Sequence, residues 1–155
     1  MAEKLLAWRS QPCKRLAVVV AAFGLAASLA FAAARAAETY EVRLTPVPID
    51  PVTKAQVTGS GAATAVLDGA SLAVTGSFTG LAAPATVARL HDGLATGVRG
   101  PGIVDFAVPA ASSGSFTLRL QLNPQQLQSL RQGRLYILIH SESAPDGNLW
   151  GWLLQ

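Results

Sequence analysis

The chain has 155 residues, 12 of them basic and 9 acidic, and its pI is about 9.5. This length is typical of a single domain. The basic excess belongs to residues 1–36, because residues 37–155 carry slightly more acidic than basic side chains and no basic run. Binding to nucleic acid depends on clustered Lys and Arg side chains. The charge distribution therefore excludes nucleic acid as a partner.

Residues 1–36 have the pattern of a signal peptide. Basic residues at 1–15 precede an uncharged, alanine-rich run at 16–34, and small residues follow. The A-x-A cleavage motif occurs at 32–34 and at 34–36, and we favour the second, which leaves Ala37 as the N-terminus. The prediction is a cleavable signal peptide and a periplasmic or secreted protein. The alternative is an uncleaved membrane anchor, because about 19 apolar residues can just span a bilayer.

The single cysteine, Cys13, precedes the apolar run and would be removed with the signal peptide. Residues 37–155 contain no cysteine, which excludes a disulfide framework, a thiolate metal site and a cysteine nucleophile. The domain predicted over residues 37–155 must therefore be stabilised by a packed core.

Short runs with alternating apolar side chains, separated by turn residues, predict about eight strands. They span residues 39–45, 61–67, 71–79, 86–91, 103–108, 115–122, 134–141 and 148–154. Asn123 as N-cap, Pro124 at the first helical position and Gly133 as a stop predict one short helix. The predicted fold is all-β, an antiparallel β-sandwich or flattened Greek-key barrel.

The alternation also predicts which side chains are buried. Phe78, Phe116, Leu118 and Ile137 are expected to meet in the core from opposing sheets. Residues 134–141 are apolar on both faces, which is typical of a central strand covered on both sides.

Five pieces, in order along residues 40–154, resemble the CHRD domain, a family named after chordin. They are G-A-A-T-A at 61–65, L-A-V-T-G-S-F-T-G-L at 72–81, A-R-L-H-D-G at 88–93, the predicted helix Q-Q-L-Q-S-L-R-Q-G at 125–133 running into L-Y-I-L-I-H-S at 135–141, and P-D-G-N-L-W-G at 145–151. The resemblance implies an extracellular β-sandwich, similar in outline to the copper–zinc superoxide dismutase barrel, without enzymatic activity of its own.

The chain departs from the family's pattern at four polar positions. Arg89 stands where the family has the first histidine of its A-H-I-H motif, and Leu138 replaces an asparagine. Near the end of the chain, Asn148 and Trp150 replace a glutamate and an arginine. Any role that those polar groups have in other members does not carry over to this chain.

His91 and His140 are the only histidines, and they lie on different predicted strands. They could approach each other across one face of a sheet and bind copper or zinc, which requires at least a third ligand. Arg89 lies on the same face as His91, in the place of that third ligand, and its cation would oppose a metal. The alternative is structural: both imidazoles bond loop backbone or carboxylates such as Asp92.

A catalytic triad of His140, Ser141 and Asp146 is excluded, because adjacent residues of a strand point to opposite faces. The chain also lacks the G-x-S-x-G motif. No enzymatic activity is therefore predicted.

Trp150 and Trp152 are predicted to form a partly exposed pair on an edge strand. Such rings bind protein partners, glycans or membrane interfaces, but they could equally fill the second face of the sandwich. The predicted function is an exported, non-catalytic binding or structural module that engages a protein, a glycan or a second copy of itself. Trp150, Trp152 and Arg89 are the candidate contact residues. The alternative is a copper- or zinc-binding protein, or a residual redox enzyme, that uses His91 and His140.

Overall fold

The computed structural model describes residues 36–48 and 55–155. The predicted signal peptide up to residue 35, including Cys13 and the 32–34 motif, lies outside the described residues. Within the described part of the chain, no helix is long and apolar enough to cross a membrane.

The structure confirms the prediction of an all-β fold with eight strands and one short helix. The elements are β1 (Glu38–Pro46), β2 (Ser60–Asp68), β3 (Ser71–Thr79), β4 (Ala85–Asp92), β5 (Gly102–Phe106), β6 (Gly114–Gln121), α1 (Pro124–Arg131), β7 (Leu135–Ser141) and β8 (Ala144–Trp152).

All strands pair antiparallel in one nearly closed, barrel-like sheet with the order β5-β4-β7-β8-β1-β2-β3-β6. The sheet consists of two four-stranded halves, which are joined where β8 meets β1. At this joint Thr45 pairs with Trp150 and Pro46 with Leu149. The two edge strands are β5 and β6.

Inward side chains of both halves form one core. Phe78, Phe116, Leu118 and Ile137 are 2, 3, 7 and 0 % exposed, which confirms their predicted burial. Strict alternation of buried and exposed residues in β1 and β2 follows from the pleat of strands that are covered on one face only.

β7 differs because both of its faces are buried, as its apolar sequence predicts. A second, smaller cluster lies on the outside of the sheet, apart from the main core. It contains Val47, Val57, Tyr136, Leu138 and Ala144, with Trp150 and Trp152 packed against it. This outer layer, rather than the core, holds the candidate contact residues Trp150 and Trp152.

β8 departs from the prediction in two respects. It begins at Ala144 rather than at Asn148, so Pro145, Asp146 and Gly147 belong to the strand. The β7–β8 register shifts between Ile139 and Ser141, and this irregularity accommodates a proline and a glycine with φ of 125°. The prediction that the tryptophans lie on an edge strand is wrong, because β8 pairs with β7 on one side and β1 on the other.

Candidate functional site

Three neighbouring strands place four aromatic rings side by side on the outside of the sheet. His91 of β4 lies opposite Tyr136 of β7, which in turn lies opposite Trp152 of β8. Trp150, two residues earlier, projects from the same face of β8 and lies opposite Leu138. We call His91, Tyr136, Trp150 and Trp152 the outer aromatic cluster.

The rings of the outer aromatic cluster are in direct contact. His91 and Tyr136 stack with centroids 4.7 Å apart and planes inclined by 15°. The Tyr136 centroid is 4.4 Å from that of Trp152 and 6.2 Å from that of Trp150, and the two indoles are 6.0 Å apart in an edge-to-face arrangement. Such contacts contribute about 0.5–1.5 kcal/mol per pair beyond the buried area. Tyr136 is fully buried, whereas both tryptophans stay partly exposed.

The loop between β4 and β5, residues 93–101, folds over this cluster. Gly100 holds it in place, because its carbonyl accepts a bond from His91 Nδ1 at 3.0 Å and its N–H donates to Tyr136 Oη at 3.3 Å. Arg99 lies over the Trp150 ring, with Cζ 5.9 Å from the centroid. At Gly93 a Cβ would lie 2.7 Å from the Trp152 ring, so only glycine permits this close approach.

The imidazole of His91 is held in one tautomer. Since Nδ1 faces a carbonyl oxygen, it carries the proton, and Nε2 retains its lone pair. Nε2 is buried and has no hydrogen-bond partner among the described residues. Burial lowers the pKa of His91 below its ordinary value, and the charges of Arg89, His140 and Arg99 lower it further against the opposing effect of the Gly100 bond.

His140 repeats this arrangement on β7. Its Nδ1 donates to the carbonyl of Pro145 at 2.7 Å, and its buried Nε2 lacks a hydrogen-bond partner within the described chain. Both histidines thus bond loop or strand backbone, as the structural interpretation predicts. They project from the same outer face but do not face each other directly, since His140 lies opposite Val87 and the pair Arg89–Leu138 lies between the two histidines.

Arg89 is engaged by Asp105 on β5, its neighbour across the strand pair. Its Nε bonds Asp105 Oδ1, and its Nη2 donates to Oδ2 at 2.8 Å. The bond from Arg89 lowers the pKa of the Asp105 carboxyl. Gly102 leaves room for this side chain, because a Cβ there would lie 2.5 Å from Arg89 Cδ. Arg89 occupies the predicted place of a third metal ligand, and its guanidinium is held there by the carboxylate of Asp105.

A cleft of about 280 Å³ opens beside the cluster. Residues 47–48 and 56–57 form one wall, and residues 143–147 form the other. Arg99 lines the cleft as well as covering Trp150, and its Nη1 donates to the carbonyl of Asp146 at 3.0 Å. The cleft and the outer aromatic cluster therefore share one cationic side chain.

In the described part of the chain, Ser141 and His140 do not form a catalytic pair, and no three-ligand metal centre is present. Ser141 is 1 % exposed and points away from His140, with its Oγ 3.4 Å from Ser143 Oγ. Across residues 36–48 and 55–155, no three His, Cys, Asp or Glu side chains come together in a group that could hold a metal ion.

Sequence reasoning missed Tyr136, Arg99 and Gly100 as parts of this site. The available signal was parity: Tyr136, Leu138 and His140 alternate along one strand and therefore share a face. Arg99 and Gly100 gave no signal, because a loop sequence does not show over which face the loop will fold.

The model of the CHRD domain family matches residues 31–153. No curated protein and no solved structure matches the chain. The family match covers all eight strands and α1, and it confirms the resemblance drawn from the five sequence pieces. The chain therefore belongs to the CHRD domain family.

Proposed function

We propose that this protein is an exported binding module and that it contacts a protein partner through the outer aromatic cluster and the loop that covers it. Its membership of the CHRD domain family supports a non-enzymatic binding or structural role. Export rests on the signal-peptide pattern of residues 1–36.

The observation that carries the proposal is the concentration of exposed apolar side chains around this loop. The exposed large hydrophobic residues of the described chain are Val66, Leu94, Val98 and Leu154. Leu94 and Val98 lie on the loop itself, at 73 and 45 % exposure. Leu154 lies beside the same loop. A Cβ on Gly133 would be 3.0 Å from the Leu154 side chain and 3.3 Å from the hydroxyl of Thr96, which is a residue of the loop.

The loop that carries Leu94 and Val98 begins at Gly93, which lies against the Trp152 ring, and Leu154 follows Trp152 by two residues. Contiguous apolar surface on a soluble domain marks an interaction site more often than scattered single residues do. Aromatic anchors with an adjacent Arg are the composition typical of protein contacts. Arg99, held between Trp150 and the cleft, supplies that cation.

Leu94→Ser combined with Val98→Ser tests this surface without disturbing the packed rings. Both side chains are exposed, so the variant should keep the wild-type melting temperature. It should lose the proteins that cross-link to the exported wild type in its own compartment. Val66→Ser, an exposed residue of β2, is the matched control and should retain them. Equal cross-linking by all three proteins would contradict the proposal.

Trp150→Arg combined with Trp152→Gln tests whether the two tryptophans have any role in binding or packing. The two rings contact Tyr136, so we expect this variant to lose both partner binding and part of its stability. A variant with unchanged stability and unchanged binding would contradict both roles of the tryptophans.

The second candidate is weak binding of copper or zinc by His91 and His140. The observation in its favour is that both imidazoles hold Nδ1–H against a backbone carbonyl and keep a buried Nε2 lone pair without a partner. A metal-binding histidine is oriented in this way by its second nitrogen. Against it stands the guanidinium of Arg89, because the pair Arg89–Leu138 lies between the two histidines along the β4–β7 ladder.

Titration with Cu²⁺ or Zn²⁺, followed by calorimetry, decides this candidate. Binding should disappear in His140→Ala, and it should tighten in Arg89→Gln, which removes the opposing cation and frees the Asp105 carboxylate. Absence of binding in both the wild type and Arg89→Gln would contradict it.

A further inference from the structure

The two edges of the sheet are built very differently. β5 has five residues, begins at Gly102, and pairs with β4 through a register shift between Leu90 and His91. It also carries Asp105, whose side chain is held by Arg89. A short, irregular, charged strand is the form in which natural sheets protect an edge from pairing with another chain.

β6 is longer and regular along its eight residues, and Arg119 is its one charged side chain. It pairs with β3 from Gly114 to Gln121 without a register shift, and it contains no proline and no lysine. Its inward side chains Phe116 and Leu118 are buried, and its outward side chains are exposed. Within the described residues no strand pairs with its second side. Half of its backbone N–H and C=O groups therefore face away from β3 without a ladder partner.

We propose that β6 pairs with β6 of a second copy of this chain, antiparallel and around a two-fold axis at Leu118. This extends each barrel-like sheet across the dimer. The proposal concerns a surface separate from the outer aromatic cluster, and it does not depend on the partner proposed for that cluster.

The sequence of β6 selects this register among the alternatives. A two-fold axis perpendicular to the sheet keeps inward residues opposite inward residues when it passes through a residue and its copy. Near the middle of β6, where the overlap of the two strands is longest, this residue is Thr117, Leu118 or Arg119. An axis at Arg119 would oppose two guanidinium groups, and one at Thr117 would use Gly114, which has no side chain to pair.

With the axis at Leu118, each Arg119 lies opposite a Thr117, and Phe116 lies opposite Leu120. The strand is thus complementary to itself without any like-charge contact, which is what an isologous interface requires. The partner that we propose for the free side of β6 is therefore a second copy of this chain.

Charge placed at position 117 tests the pairing and its register together. In the dimer Thr117→Arg would face Arg119 of the other copy twice, and Thr117→Glu would form two ion pairs there. Since each cross-strand charge pair contributes up to about 1 kcal/mol, we expect Thr117→Arg to raise the dimer dissociation constant about tenfold and Thr117→Glu to lower it about tenfold. Sedimentation equilibrium of the purified protein from micromolar to millimolar concentration measures both constants.

Thr64→Arg is the matched control, because Thr64 is an exposed threonine on the interior strand β2. It should leave the dissociation constant unchanged. The double variant Thr117→Arg, Arg119→Glu restores opposite charges and should recover dimers. Circular dichroism and melting temperature establish that every variant is folded. A wild type that stays monomeric throughout, or a dimer indifferent to both charges at position 117, would overturn the proposal.

Discussion

Phe116 connects the two edge strands of the sheet through a contact between aromatic rings. It belongs to β6, is 3 % exposed, and its ring centroid is 5.6 Å from that of Phe106 on β5. A Cβ on Gly76 of β3 would lie 2.6 Å from the Phe116 ring, so the neighbouring strand leaves no spare volume there. The side chain fills its site completely, and its removal would leave a cavity that rigid strands cannot close.

Phe116→Ala should therefore lower the free energy of unfolding by about 3–5 kcal/mol, through lost transfer free energy and the cavity. Urea unfolding followed by circular dichroism measures the change. Thr117→Ala, at the adjacent exposed position, should change it by less than about 0.5 kcal/mol. Equal losses in the two variants would mean that the strand faces are assigned one residue out of register.

His91 makes stability depend on pH through its buried ring. Because burial lowers its pKa in the folded state, the unfolded chain binds a proton more readily than the folded one. The contribution is present above the ordinary pKa of about 6.5 and is lost as pH falls below it. We expect the melting temperature to fall between pH 7.5 and pH 5 and this fall to be smaller in His91→Phe, which keeps the stacking on Tyr136. An identical fall in the variant would show that other groups cause it.

At the residue scale the alternation of the sequence was sufficient to assign the buried faces. Phe78, Leu118 and Ile137 are buried as predicted. Successive side chains of a strand point to opposite faces, so only one of the two faces can bring these apolar side chains together in a core. The stacking of His91 on Tyr136 could not be predicted, since it depends on which strands become neighbours. The engagement of Arg89 by Asp105 depends on the same strand order.

α1 shows how a short element can begin and end at predictable residues. Asn123 Oδ1 accepts from the Gln126 N–H at 2.8 Å, and Gln126 Oε1 accepts from the Asn123 N–H at 3.0 Å. This reciprocal capping, with Pro124 at the first position, starts the helix. Gly133, with φ of 65°, ends it. The sequence therefore predicted both ends to within two residues.

Asn123→Ala removes the acceptor for the Gln126 N–H and should lower the free energy of unfolding by about 1 kcal/mol. Asn123→Asp keeps an acceptor and should restore most of the loss. Urea unfolding of the three proteins provides the comparison. A loss in Asn123→Asp as large as that in Asn123→Ala would contradict a capping role.

Strand boundaries were less predictable than the helix, and β8 shows the reason. Pro145 and Gly147 are turn-forming residues, and local propensity therefore assigned them to a turn. The structure places them in an irregular stretch of strand, where the Pro145 carbonyl accepts from His140. The turn itself consists of Glu142 and Ser143. The start of β8 is set by its pairing with β7, and local sequence preferences do not predict that pairing.

At the scale of the whole molecule, strand number, antiparallel pairing and the single helix followed from the sequence, because each strand carries its own alternation. The order of the strands did not, because alternation assigns faces and not neighbours. For that reason β8 was wrongly expected at an edge, although it lies in the interior beside β1. The candidate site, which depends on three adjacent strands and a loop, was predictable only as separate residues.

Processing of the N-terminus is expected to end beside the first strand. Ala37, the favoured new N-terminus, directly precedes β1, whose first residue Glu38 accepts from Arg131 of α1 at 3.0 Å and from Tyr40 at 2.8 Å. Mass spectrometry of the exported protein should find an N-terminus between Arg35 and Glu38. A mature protein that retains residues 16–34 would instead establish a membrane-anchored form.

The joint between β1 and β8 brings together the beginning and the end of the domain. Glu41 and Leu154 exchange backbone hydrogen bonds of 2.8 and 3.2 Å, so two segments more than 100 residues apart in the chain meet at an interior position of the sheet. The two halves are united only when β8 has paired with β1. Contacts between such distant segments fold slowly, because the chain entropy is lost before the contacts form. The joint between β1 and β8 is therefore the step at which the two half-sheets become one cooperative unit, and it is the part of the sheet that we expect to form last.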